Sequence, residues 1–306
     1  MHIARVSTFK NNKQAVHFFN EWLEQLEALN QVKYKKIIVQ TELGNTVVWS
    51  CNHEQKNLPA IVLFPGFRTS ALFWDLDNVL APLRNDFRVY MVETNGQPSL
   101  SNGASPDVRT DDYGIWAAAV LQQLHISTAT IAGVSFGAFV CKKLCMVNPS
   151  IVKHAVLMNP AGLQQFSPNF KNLYYNALPV LSTTEKNVSK FLEEAIFFKD
   201  NHVVSPQAFK LLIDYEMFAI RYFNNRSQFP YVMGKQELQR ISSLTHLVLG
   251  EKDILFPYKK TIEAAKKNIK SLGNIHVLQN TGHGIETSPT AIEKLLQIAI
   301  QESSLY

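Results

Sequence analysis

Gly133-Val134-Ser135-Phe136-Gly137 is the segment of this chain best suited to chemistry. It follows an apolar run that ends at Ala132 and opens a helical pattern from 136 to 147, so it reads as a strand-to-helix turn. Glycine at 133 and 137 removes side chains that would clash in so tight a turn and leaves the Ser135 hydroxyl exposed above the strand ends. The helix N-terminus favours negative charge beside it. A serine needs a base to become a nucleophile, and the base needs an acid to orient it. Leu249-Gly250-Glu251-Lys252-Asp253 and Asn280-Thr281-Gly282-His283-Gly284 each follow an apolar strand-like run and supply both. The chemistry implied is acyl transfer. Ser135 attacks a carbonyl carbon, His283 takes its proton and passes it to the leaving group, and Asp253 holds the imidazole in the useful tautomer. Glu251 is the alternative acid; Met158-Asn159-Pro160, after the next strand, offers none.

The oxyanion that forms in such a step needs preorganised donors. One is the backbone N–H of Phe136, next to the nucleophile. The second is expected from Phe64-Pro65-Gly66-Phe67-Arg68, where Gly66 lets the backbone turn toward the site and the Phe67 N–H donates.

Three loops can converge only if their strands end on one edge of a sheet. Apolar runs at 60 to 64, 87 to 92, 129 to 132, 154 to 158, 245 to 249 and 274 to 278 read as strands, most of them buried on both faces. Helical patterns at 111 to 124, 136 to 147, 257 to 272 and 289 to 302 separate or follow them, with Asp111 or Asp112 able to cap the first. This alternation predicts a mostly parallel central sheet with flanking helices. A helix over 13 to 30, with Val16, Phe19, Leu23 and Leu26 on one face, precedes a hairpin of 36 to 41 and 46 to 50 about a Gly44-Asn45 turn. The hairpin can supply antiparallel edge strands.

Residues 164 to 240 break the alternation. They are helix-rich and hold 14 of the chain's 33 aromatic residues, so they read as a helical insertion over the carboxyl ends of the strands, where open parallel sheets bind ligands. The expected organisation is a core of 1 to 163 and 241 to 306, with a helical lid at 164 to 240. Tyr215, Phe218 and Tyr222 read as packing residues of that lid, and Lys210, Arg221 and Arg226 as solvated charges.

Composition narrows the function classes. With 306 residues, 46% apolar and 18% charged, the chain can bury a large core without staples. It has no eighteen-residue apolar stretch and its start lacks an apolar signal-like region, which argues against a membrane span and against secretion. Cys51, Cys141 and Cys145 show no metal-ligand spacing and read as buried hydrophobes of a reducing, cytoplasmic compartment. The net charge of +5 is scattered over short clusters such as Lys33-Tyr34-Lys35-Lys36, which argues against nucleic-acid binding. The expected partner is a small molecule, with neither metal nor organic cofactor.

Serine, acid and histidine in this order, each just past a strand, resemble the serine hydrolases of the α/β-hydrolase superfamily, in its lidded carboxylesterase-like branch. The resemblance runs from about residue 36 to about 302. In that family the oxyanion loop commonly begins His-Gly and carries a tryptophan further on; Gly66 and Trp74 match, and Pro65 replaces the histidine. The family's next strand usually ends Asp-x-x-Gly and is followed by a serine; here it reads Glu93-Thr94-Asn95-Gly96, then Ser99 or Ser101. Asp112-Tyr113 matches the Asp-Tyr that opens the helix before the nucleophile strand. The early helix followed by Thr41-Glu42-Leu43-Gly44-Asn45-Thr46 is similar to bacterial carboxylesterases of about this length. A serine nucleophile separates the chain from the dehalogenase and epoxide hydrolase branches, which use aspartate. The resemblance implies an α/β-hydrolase fold and hydrolysis of carboxylic esters with an apolar part through an acyl-enzyme. Thioester, amide or C–C hydrolysis and perhydrolysis by the same three residues stay open. A non-catalytic binding module on this fold usually loses one of the three, and this chain retains them all.

Overall fold

Eight strands form one sheet in the order β1-β2-β4-β3-β5-β6-β7-β8. They are β1 (Lys35–Thr41), β2 (Gly44–Cys51), β3 (Ala60–Phe64), β4 (Arg88–Val92), β5 (Ala129–Val134), β6 (Val152–Met158), β7 (Thr245–Gly250) and β8 (Leu272–Leu278). The computed structural model describes residues 8–198, 204–224 and 229–301; Arg226 lies outside them. The β1–β2 and β2–β4 pairs are antiparallel and the remaining pairs are parallel. The expected mostly parallel sheet with an antiparallel edge hairpin is therefore the one observed.

The helices are α1 (Asn12–Asn30), α2 (Ala81–Arg84), α3 (Asp112–Gln123), α4 (Phe136–Val147), α5 (Phe170–Leu181), α6 (Glu185–Phe191), α7 (Pro206–Tyr222), α8 (Lys235–Leu238), α9 (Tyr258–Asn268) and α10 (Pro289–Gln301). Alternate residues of the central strands serve opposite faces, as the two-residue period of a strand dictates. Ile61, Leu63, Val89, Met91, Ala132 and Val134 pack on the side of α1 and α10. Ala60, Val62, Tyr90, Val92 and Ile131 pack on the side of α3, α4 and α9. Burial on both faces is why these strands read as unbroken apolar runs.

Several expectations need correction. The hairpin turn is Glu42-Leu43 rather than Gly44-Asn45, because Thr41 already pairs with Gly44 and Gln40 with Asn45. Gly44 adopts φ 108° and its backbone lies against Gly103, an approach a side chain would block. The helix expected over 257 to 272 stops at Asn268, since the Ser271 carbonyl accepts from Thr245 N–H (2.9 Å) and Leu272 joins β8. Asp111 stands at the N-cap of α3 but makes no side-chain cap; its carboxylate bonds Arg240 at 2.7 Å instead. The buried face of α1 is Ala15, Phe19, Trp22 and Leu26, so Trp22 displaces Leu23 from its centre.

Helices α5 to α8 lie between β6 and β7. Of these, α7 is bound tightly to the rest. Trp22 Nε1 of α1 donates to the Leu211 carbonyl (2.9 Å), Ser205 Oγ donates to Asp77 Oδ1 (2.7 Å), and the buried Tyr215 hydroxyl donates to the Pro98 carbonyl. No helix among the described residues is long and apolar enough to cross a membrane.

Candidate active site

Ser135 sits between β5 and α4 with φ 51° and ψ −109°, a backbone conformation that costs a non-glycine residue about 1–3 kcal/mol. The surroundings enforce it. Ser135 N–H donates to the Met158 carbonyl (2.9 Å), and the Ser135 carbonyl accepts from Ala161 N–H (3.1 Å). A Cβ on Gly133 would overlap the Gly137 carbonyl, and one on Gly137 would overlap the Phe64 carbonyl oxygen. The two glycines therefore do the steric work expected of them.

Asp253 and His283 come together from the loops after β7 and β8. His283 Nδ1 lies 2.8 Å from Asp253 Oδ2. The other carboxylate oxygen, Oδ1, accepts from the N–H groups of Leu255 (2.8 Å) and Phe256 (3.1 Å). Asp253 can neither rotate nor be wetted without breaking these bonds, and His283 keeps Nε2 for another partner. Burial alone would lower the His283 pKa, but the Asp253 charge and hydrogen bond, with Glu286 nearby, hold it above its ordinary value. Glu251, the alternative acid, is engaged elsewhere: it accepts from Asn280 N–H (3.2 Å) and pairs with Lys252 (3.5 Å).

Asn159 carries no carboxylate and is not marked by sequence as a functional residue, yet it holds the site together. Its Nδ2 donates to the carbonyls of Gly282 (2.9 Å) and His283 (3.0 Å), and its Oδ1 accepts from Gly250 N–H (2.8 Å). One side chain at the end of β6 thus ties together the two loops that carry the acid and the base. Its position past a strand end, like those of Ser135, Asp253 and His283, was the available signal.

The loop after β3 reaches the serine. A Cβ placed on Gly66 would lie 4.0 Å from the Ser135 Cβ, and the Phe67 ring packs edge-on against Phe136 at 5.8 Å. Neither the Phe67 nor the Phe136 N–H is engaged by an acceptor among the described residues, and the first N–H groups of a helix have none within it. Glu93 anchors the far end of this loop. It accepts from Ser70 Oγ (2.6 Å), Ala71 N–H (2.9 Å) and Trp49 Nε1 (2.9 Å), and complete burial pushes its pKa up to about 7.

Ser135, His283, Phe67 and Phe136 all line one cavity of about 790 Å³. That volume suits a small organic molecule. Phe73 closes it from the core, while Phe191, Leu192, Ile196, Phe197 and Leu212 close it from the insertion. The wall and the histidine loop are joined, because the Ile196 carbonyl accepts from Gly284 N–H (2.9 Å). Tyr215 and Phe218, by contrast, are packing residues as expected; Tyr215 packs tilted against Trp22 and edge-on against Phe73, both at about 5 Å. An imidazole oriented by a carboxylate, a serine on the wall of the same cavity, two free N–H groups and an apolar chamber can together support acyl transfer.

Comparison with known proteins agrees with this fold. Residues 59–205 match the model of the alpha/beta hydrolase fold family. The chain is 25% identical over 271 residues to the uncharacterized carboxylesterase nap of Bacillus subtilis, covering 88% of this chain and 86% of that protein. Among solved structures it resembles the B. subtilis carboxylesterase CesB (YbfK), with a TM-score of 0.77 at 21% identity, covering 94% of this chain and 99% of that one. It also resembles the B. subtilis naproxen esterase, with a TM-score of 0.77 at 23% identity, covering 94% and 98%.

Proposed function

We propose that this chain, a carboxylesterase-like protein of α/β-hydrolase fold, hydrolyses carboxylic esters with an apolar part through an acyl-enzyme on Ser135. The observation that carries this reading is the 2.8 Å Asp253–His283 pair, which opens into the same cavity as a serine held at φ 51°.

In the first half-reaction the Ser135 oxygen attacks the ester carbonyl carbon while its proton passes to His283 Nε2. The oxyanion is met by the Phe67 and Phe136 N–H groups. His283 then protonates the departing alkoxide, which leaves as the alcohol. In the second half, water gives a proton to His283 and its oxygen attacks the acyl carbon. The acid departs as His283 returns the proton to Ser135. Asp253 stays ionised and offsets the imidazolium charge in both halves. In this reading residues 164–240 act as the lid, since Phe191, Ile196 and Phe197 wall the cavity above the strands. A cytoplasmic location belongs to the same reading, supported by three buried free cysteines.

The test is hydrolysis of p-nitrophenyl esters from acetate to decanoate by wild type and Ser135→Ala, with fluorophosphonate labelling. Turnover should fall by about 10⁴-fold or more in the variant, labelling should vanish, and the melting temperature should hold. Wild-type protein that neither turns over nor labels would refute the reading.

A further inference from the structure

The cavity contains polar groups for which ester hydrolysis has no use. Glu286 lies three residues past His283, in a short 3-10 turn, and is only 7% exposed. Its Oε2 has no hydrogen-bond partner among the described residues. Glu216, on α7, is 4% exposed, and its Oε2 meets only an Arg68 terminal nitrogen, in an ion pair too long and oblique to count as a hydrogen bond. Arg68 stands 3.4 Å from Glu216 in an ion pair, while its Nε is buried without an acceptor. All three side chains line the same chamber as Ser135.

Buried polar atoms without partners are costly, and the cost is greatest for charged groups. A substrate made only of hydrocarbon around its ester would leave these atoms orphaned in the complex. A leucine at 216 or 286 would suit such a substrate better. The groups left over are of both kinds: the Glu286 Oε2, which accepts, and the Arg68 Nε–H, which donates, with Glu216 holding the guanidinium in place through their ion pair. A hydroxyl is the smallest group that can donate to one and accept from the other. An ammonium could only donate, and would face the Arg68 charge and the imidazolium that forms on His283.

We propose that Glu286, with the Glu216–Arg68 pair, forms a polar subsite that takes a hydroxyl group carried by the otherwise apolar ester. The preferred substrates are then hydroxylated esters, such as partial esters of a polyol or esters of hydroxy acids. This deepens the esterase reading and rests on it.

The test compares matched pairs by titration of released acid: butyl butanoate against butyl 3-hydroxybutanoate, and against the monobutanoates of butane-1,2-, 1,3- and 1,4-diol. At least one hydroxylated ester should exceed the plain one in kcat/KM by about tenfold, the worth of one net hydrogen bond. In Glu286→Leu and Glu216→Leu that ratio should fall toward one. Because the ratio compares two substrates on one protein, a general loss of turnover cancels. Plain esters preferred throughout, or a ratio unmoved in both variants, would overturn the subsite. A second measurement separates this failure from failure of the esterase reading. Calorimetry on Ser135→Ala, which needs no turnover, should show hexane-1,2-diol binding more tightly than 1-hexanol, with the difference lost in Ser135→Ala/Glu286→Leu. Equal binding of diol and alcohol would also count against the subsite, whatever the esters do.

Discussion

The sheet edge that carries Ser135, Asp253 and His283 and the helical cover above it treat their polar groups in opposite ways. At the edge, Asp253, Asn159 and Glu93 each make three hydrogen bonds, so that both polar atoms of each side chain are engaged. At the cover, Glu216 is held only by a long ion pair to Arg68, whose Nε has no acceptor inside the chamber, and α5 turns Phe170 and Leu181 outward, 82% and 83% exposed. Full satisfaction fixes a geometry, which is what the proposed proton transfer between Ser135 and His283 would require. Unpartnered groups inside the chamber are available to a ligand. On the proposed esterase reading, the difference separates the part of the molecule that would perform the reaction from the part that would select what reacts.

The largest effect that sharpens this contrast lies at the edge. Asp253→Asn should keep the bonds to Leu255 and Phe256 through its remaining oxygen, yet present an amide N–H toward His283 Nδ1. The imidazole is then held in the wrong tautomer, and kcat should fall by about 10³ to 10⁴ with little change in melting temperature. Stopped-flow acylation with a p-nitrophenyl ester measures it. A loss below tenfold would mean that the edge tolerates an unsatisfied partner and that the contrast is false.

Most of the edge was legible in the sequence and most of the cover was not. Ser135, Asp253 and His283 stand out as candidates because glycines and strand ends leave a pattern at fixed spacing. The apolar runs announced the sheet because both of its faces are buried. The Glu42-Leu43 turn was misplaced because Gly44 serves a close approach to Gly103 rather than the turn itself. Glu286 reads in sequence as an ordinary charge in a loop, and only packing reveals its burial. Glu216 left a fainter trace: it shares a helical face with Leu212, Tyr215 and Ala219, all buried, where a charge is out of place.

Glu286 belongs to both regions, and its ionisation gives the next effect in size. Burial pushes its pKa up to about 7 from an ordinary value of 4.5. The folded chain therefore holds this proton more tightly than the unfolded one. The resulting stabilisation is complete below about pH 4.5 and is lost as pH rises through about 7. Glutamine cannot ionise, so the melting temperature of Glu286→Gln relative to wild type should rise between pH 5 and pH 8. His283 must be neutral to act as a base, and its pKa is raised, so the acid limb of kcat/KM should have its midpoint above 6.5. Because Glu286 contributes to that raising, the limb should move to lower pH in Glu286→Gln. A limb that stays in place would detach Glu286 from the catalytic edge.

The smallest effect is expected on α5. Leu181 stands at the last residue of that helix and is 83% exposed, so it buries almost no apolar area when the chain folds. Leu181→Ser should shift the unfolding free energy by no more than about 0.5 kcal/mol, as surface substitutions do. The other end of the insertion is built differently: Tyr215 is fully buried among Phe19, Trp22 and Phe73, with its hydroxyl bonded to the core at Pro98. Two helices of one insertion thus stand at opposite extremes of burial. Chemical denaturation of Leu181→Ser measures the lower one. A destabilisation above about 1 kcal/mol would show that this end of α5 is covered, and would place it with α7 on the side of the molecule that holds its shape.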